Sequence, residues 1–272
     1  MIRTDGVARV RAVFASAADE NRAAFVAYLM AGFPTEADAI EAGSAALRCG
    51  ADILEIGVPF SDPMADGPVI AEAGRVALAA GGGFDSALRM VSALRSRGHE
   101  QAILAMTYLN PLLALGGEVG LQHVASAGAD GLIVPDLPAG EMPRFERAAA
   151  ARGLALSFLV APNTAPARLE TAIRASTGFL YVVPLYGVTG MRDRVAAGAV
   201  ELLARLRGSA AGRTPVAAGF GLSSAEQVGE LAAIADGVIV GSALVAALRD
   251  GGVGALGDLV ERLSAGARRR AG

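Results

Sequence analysis

Eight short apolar runs alternate with Ala/Leu/Arg-rich stretches of helical spacing along the 272-residue chain. This alternation restricts the fold more than any other feature. The runs are Phe25 to Met30, Asp52 to Ile56, Ala102 to Thr107, Gly131 to Val134, Ala155 to Val160, Phe179 to Val183, Pro215 to Ala218 and Gly237 to Val240. Helical spacing marks Glu36 to Arg48, Asp85 to Arg97, Glu141 to Arg152, Val195 to Arg207 and Ser224 to Ala235. Strand and helix repeated eight times predict a single α/β domain over residues 1–272, a (β/α)8 TIM barrel. Val7 to Ala17 reads as an extra N-terminal helix capping the barrel floor, and the long gap between strands 2 and 3 as an elaborated loop. A doubly wound open sheet is the alternative. Its dinucleotide fingerprint, Gly-x-Gly-x-x-Gly opening a helix after the first strand, is missing.

Composition removes whole classes of function. All 24 basic residues are arginine, so no imine can form with a carbonyl substrate and no lysine can hold pyridoxal phosphate or complete a P-loop. His99 and His123 stand far apart, in a predicted loop and a surface helix, which argues against a histidine metal site or a Ser-His-Asp triad. Cys49 is the only cysteine and reads as a small core residue. The expectation is an enzyme without cofactor or metal. A net charge of −3 with dispersed arginines argues against nucleic acid, and Arg268-Arg269-Arg270 reads as a solvated, frayed end. The longest apolar runs, Phe25 to Ala31 and Leu154 to Ala161, fall short of the roughly 20 residues that span a bilayer. Arg3, Asp5, Arg9 and Arg11 interrupt any signal-peptide pattern. A soluble, cytoplasmic protein is expected.

In a barrel, catalytic groups sit at the C-terminal strand ends and in the loops that follow. Those ends carry Glu55 with Asp66, Tyr108 and Asn110, Asp136, Asn163, Tyr181, and the glycine turns Gly187-Val188-Thr189-Gly190, Gly219-Phe220-Gly221 and Gly241-Ser242. Glu55 lies within an apolar strand, where desolvation raises a carboxyl pKa into the range of proton transfer; the alternative is a salt bridge to a neighbouring arginine. Asp66 rides a loop stiffened by Pro59, Pro63 and Pro68, where it can stay ionised, and Asp62 on the same loop reads as a turn-stabilising residue. The three late glycine turns match the place where barrels cradle phosphate with backbone N–H groups, with Ser242 as helix N-cap or direct phosphate donor. Acid/base chemistry on a phosphorylated small molecule follows, with the reacting bond left open.

The segment Glu-x-Gly-x-Pro-Phe-Ser-Asp-Pro-x-Ala-Asp-Gly-Pro from Glu55 to Pro68 is highly specific. With Met106-Thr107-Tyr108-Leu109-Asn110-Pro111, Pro135-Asp136-Leu137-Pro138, Gly187-Val188-Thr189-Gly190 and Ala218-Gly219-Phe220-Gly221-Leu222-Ser223-Ser224, it resembles the tryptophan synthase alpha subunit family, in order along nearly the whole chain. The resemblance implies a lyase of L-tryptophan biosynthesis that cleaves indole-3-glycerol phosphate to indole and glyceraldehyde 3-phosphate. It also implies a beta-subunit partner in an alpha2-beta2 tetramer. By position, Glu55 matches the family's proton-transferring glutamate and Asp66 its partner for the indole nitrogen. The amides of Gly190, Gly221, Gly241 and Ser242 match the phosphate grip, with Thr189 and Tyr108 among the substrate-binding residues. Tyr28, Tyr181 and Phe220 line the indole pocket or serve as ordinary packing. Val183-Pro184-Leu185-Tyr186 departs from the family pattern beside the loop expected to close over substrate. Two other roles fit the same residues: a stand-alone lyase releasing free indole, and a catalytically silent activator that binds a phosphorylated ligand.

Overall fold

The computed structural model describes residues 5–183, 192–209, 214–219 and 221–269. Nine parallel strands form one sheet in the order β5-β4-β3-β2-β1-β9-β8-β7-β6. They are β1 (Ala24–Met30), β2 (Ile53–Gly57), β3 (Ala102–Met106), β4 (Gly131–Ile133), β5 (Ala155–Ser157), β6 (Leu159–Val160), β7 (Leu180–Val182), β8 (Val216–Ala218) and β9 (Gly237–Val240). The two ends of this order, β5 and β6, are halves of one segment separated only by Phe158, so the sheet closes into a barrel. The run expected as one strand from Ala155 to Val160 is thus broken. The break has a visible cause at the seam with β7: Ser157 Oγ accepts from Phe179 N, Thr177 Oγ1 from Leu156 N and Ser176 Oγ from Phe158 N. Side-chain hydroxyls stand in for part of the backbone ladder there.

The helices are α1 (Gly6–Asp19), α2 (Glu36–Arg48), α3 (Pro68–Ala79), α4 (Phe84–Ser96), α5 (Leu109–Ala114), α6 (Glu118–Ala127), α7 (Pro143–Ala151), α8 (Pro166–Ala175), α9 (Arg192–Ser209), α10 (Ala225–Ala232) and α11 (Ser242–Gly266). The elaboration after β2 is the loop 58–67 followed by the added helix α3, which opens with Pro68 at its first position, where a missing N–H costs nothing. Among the described residues no helix is long and apolar enough to cross a membrane.

Strand alternation sorts the core into two sets. Ala24, Val26, Ile53, Ala102, Leu104, Ile133, Ala155, Phe179, Ala217 and Ile239 fill the barrel interior with Val10, Phe14 and Ala17 of α1. The intervening residues, such as Leu54, Ile56, Ile103 and Leu132, pack outward with the surrounding helices. The expected floor cap is therefore α1, started by Asp5, whose Oδ1 accepts from Val7 N at 3.0 Å. Phe14 meets Phe179 at 5.6 Å between ring centroids. A Cβ on Gly237 would lie 2.9 Å from the Phe14 ring, so that strand position must remain glycine for the cap to seat.

Three aspartates pin the floor in the same way. Asp52 accepts from Phe25 N at 2.7 Å, Asp130 from Ile103 N at 2.9 Å and Asp236 from Val216 N at 2.9 Å. Each also faces arginine: Asp52 with Arg22, Asp130 with Arg9 and Arg95, Asp236 with Arg269. Arg269 further donates to the carbonyls of Ala232 and Ala235, its N–H bonds Asn21 O, and Arg268 bridges to Arg22. The C-terminal arginines are docked as far as Arg269, not frayed as the charge run alone suggested.

Phe14→Ala is expected to lower unfolding free energy by about 3–5 kcal/mol, the usual cost of emptying a buried aromatic site. Urea denaturation followed by circular dichroism measures it.

Candidate active site

Glu55 is two residues beyond Ile53 on β2, so it shares the inward face. Its strand register places it between Tyr28 on β1 and Leu104 on β3. The side chain is fully buried, and neither carboxyl oxygen has a hydrogen-bond partner among the described residues. The salt-bridge alternative for Glu55 is therefore not realised. Burial, with a smaller contribution from the charge of Asp66, pushes its pKa up to about 8. At neutral pH this carboxyl holds its proton.

Asp66 reaches the same mouth from the loop 58–67. That loop is tied down at several points: Val58 N donates to Met106 O at 2.8 Å, Asp66 N to Pro63 O at 3.2 Å and Ala65 N to Tyr108 Oη at 2.8 Å. Phe60 stacks on Tyr108 with centroids 5.0 Å apart. Tyr108, expected among substrate-binding residues, thus spends its hydroxyl on positioning the loop next to Asp66. Half-burial pushes the Asp66 carboxyl up to about 6, which leaves it mostly ionised at pH 7. Asp62 is exposed, and the turn there is closed by its backbone carbonyl accepting from Met64 N. Asp136, at the end of β4, accepts from Leu109 N at 2.8 Å and anchors the start of α5.

Glycines clear space above these acids. A Cβ on Gly57 would lie 2.1 Å from Tyr28 Oη, so the phenol rests directly over that backbone. At the other end of the same side chain, a Cβ on Gly241 would stand 3.3 Å from Tyr28 Cβ and 3.4 Å from Ile70 Cδ1. At the end of β8, the strand next to β9, a Cβ on Gly219 would lie 3.5 Å from the Tyr181 hydroxyl. Tyr28, Tyr181, Glu55 and Asp66 are close enough that the last two, with Tyr108 and Tyr181, all raise the Tyr28 pKa well above its ordinary value, after burial.

The glycine turns are described in part. Gly221 holds φ of +71°, a conformation that favours glycine. Gly241 occupies the N-cap of α11 with no side-chain cap, and Ser242 is the first helical residue. Ser242 is thus not the N-cap; the uncapped first-turn N–H groups face outward from a helix start, the usual ground for an anion. A positive φ at Gly252 breaks α11, so a short helix does follow Gly241 as expected. Thr189, Gly190 and Phe220, and the departure at Pro184-Leu185-Tyr186, lie outside the described residues.

Two lining residues escaped the sequence reading. Met106 and Leu159 pack against the inner cluster, half-buried at the top of β3 and in β6. Counting by twos from Ala102 and Ala155 would have found both. Among the described residues no group of three or more His, Cys, Asp or Glu gathers where a metal could be held.

The profile of the family described as tryptophan synthase alpha chain matches residues 14–265. The tryptophan synthase alpha chain of Mycobacterium avium is 42% identical over 270 residues, covering 99% of this chain and 98% of that protein. That of Deinococcus radiodurans is 43% identical over 267 residues, covering 97% and 96%. Among solved structures, tryptophan synthase from Mycobacterium tuberculosis superposes with a TM-score of 0.88 at 40% identity, covering 96% of this chain and 99% of that one. The alpha subunit from Legionella pneumophila gives 0.84 at 31% identity, with 95% and 98% coverage. A closed parallel barrel with a buried, partnerless glutamate beside a loop aspartate, matched at this identity over almost its full length, belongs to the tryptophan synthase alpha chain family.

Proposed function

We propose that Glu55 and Asp66 carry the reaction of this family, the lyase cleavage of indole-3-glycerol phosphate to indole and glyceraldehyde 3-phosphate in tryptophan biosynthesis. The observation that supports it most is a pair of carboxyls at one barrel mouth held in opposite states at neutral pH. Glu55 is pushed up to about 8 and stays protonated, whereas Asp66, near 6, is ionised.

Cleavage requires the indole ring to become a leaving group. Glu55 donates its proton to ring carbon C3, and positive charge develops on the ring nitrogen. Asp66 accepts a hydrogen bond from the indole N–H and stabilises that charge. The Glu55 carboxylate then removes the proton from the glycerol C1 hydroxyl as the C3–C1 bond breaks. The bonding pair returns to the ring, C1 becomes the aldehyde carbon, and Glu55 ends protonated as it began. An apolar setting favours this cycle, since a carboxylate without partners is a strong base. Tyr181, Met106 and Leu159 line the indole side, with Phe220 by resemblance; Tyr28 borders both the indole and the glycerol chain; the amides at Gly190, Gly221, Gly241 and Ser242 take the phosphate. A beta subunit receives the indole, and an alpha2-beta2 tetramer is the proposed assembly.

Glu55→Gln is expected to reduce indole release by about 10²–10⁴-fold, the range for loss of a general acid/base. Asp66→Asn should cost about 10²–10³-fold, as for loss of charge stabilisation in the transition state. Indole release from indole-3-glycerol phosphate, with circular dichroism as the folding control, tests both; near-normal turnover by either variant rejects its role.

The pH profile of kcat/KM should be bell-shaped, with an acid limb near 6 from Asp66 and an alkaline limb near 8 from Glu55. Stability should carry the same signature. The folded pKa of Glu55 lies above its ordinary value of 4.5, so folding takes up a proton between the two values and wild-type stability falls as pH rises through that window. Glu55→Gln titrates in neither state. Its melting temperature should match wild type near pH 4.5, gain on it progressively up to about pH 8 and hold that gain above.

A further inference from the structure

The geometry points to the hydroxyl of Tyr28 as the group that recognises the glycerol C2 hydroxyl of the substrate; this rests on the proton-transfer roles given above to Glu55 and Asp66. Tyr28 stands beside Glu55 in the β1–β2 register, on the same inward face. Its side chain starts against Gly241, at the N-terminus of α11, and ends with its hydroxyl over Gly57, two residues beyond Glu55. It therefore runs from the phosphate end of the site to the acids, along the path that a glycerol phosphate chain must follow.

Polar groups can be matched one to one. Apart from its phosphate, indole-3-glycerol phosphate offers three polar hydrogens: the indole N–H, the C1 hydroxyl and the C2 hydroxyl. Asp66 takes the first and Glu55 the second, which leaves C2, the carbon between the reacting centre and the phosphate. Among the described residues, three tyrosine hydroxyls surround the mouth. That of Tyr108 accepts from Ala65 N and is held against the loop of Asp66, and that of Tyr181 lies over Gly219 at the end of β8, three strands round from β2. The Tyr28 hydroxyl is the one in register with Glu55 and between the two ends of the chain. Tyr28 is a buried residue, so a substrate lacking the C2 hydroxyl would forfeit this hydrogen bond in a largely apolar setting, the situation in which hydroxyl recognition discriminates strongly. Its raised pKa keeps it a neutral donor and acceptor across the working pH range.

The test pairs Tyr28→Phe with indole-3-glycerol phosphate and its 2-deoxy analogue. Tyr28→Phe should lower kcat/KM for the natural substrate by roughly 10–100-fold and change the 2-deoxy compound less than about 3-fold. An equal loss on both compounds, or no loss on the natural one, overturns the assignment. Dissociation constants of both compounds, measured for Glu55→Gln with and without Tyr28→Phe, give the same comparison without turnover. Glu55→Gln separates the two readings. If that variant cleaves normally, the proton-transfer roles fail; if it is inactive while Tyr28→Phe does not discriminate, only the Tyr28 assignment fails.

Discussion

The site depends on the cost of burying the Glu55 carboxyl without a partner. In the barrel interior its neighbours along the sheet are Tyr28 and Leu104, and among the described residues no arginine reaches it. The desolvation that would otherwise only destabilise the protein is what sets the proton affinity. Everything around it preserves that condition: α1 seals the floor, Phe14 and Phe179 fill the lower barrel, and the loop carrying Asp66 covers one side of the mouth. A single arginine in reach would lower the pKa and end the function as an acid.

Much of the barrel was legible because its signals are local. Apolar runs bounded by glycine, proline and polar residues mark strands regardless of context, and α2 begins and ends where its spacing predicts. The seam was not legible, because the hydroxyls that interrupt the 155–160 strand come from Ser157 and from residues 176–177, and their pairing exists only once the ring has closed. Docking of Arg269 was hidden for the same reason: a terminal run of arginines carries no trace of the carbonyls of Ala232 and Ala235 that receive it.

At the site, Glu55 and Asp66 stood out because an acid in an apolar run and an acid in a proline-stiffened loop are each unusual alone. Met106 and Leu159 did not, since an apolar residue at a strand end looks the same whether it faces ligand or helix; only the alternation decides. Tyr108 has a contact that its position does not announce. A tyrosine at a strand end suggests substrate contact, and its hydroxyl also accepts from the backbone of the loop that holds Asp66. The late glycine turns mark a phosphate site by their place after the strands, while Gly57 and Gly237, which make room for Tyr28 and Phe14, have no turn to announce them.

The three floor aspartates have a consequence at the opposite end of the barrel. Asp52, Asp130 and Asp236 each fasten the entry of one strand to an amide at the start of its neighbour. They thereby fix how far each of these strands has advanced when it reaches the mouth. A shift of one residue in β2 would swing Glu55 outward among the helices and bring Leu54 or Ile56 into the barrel. The elevation of the reactive carboxyl is therefore set from beneath, by paired charges that never approach it.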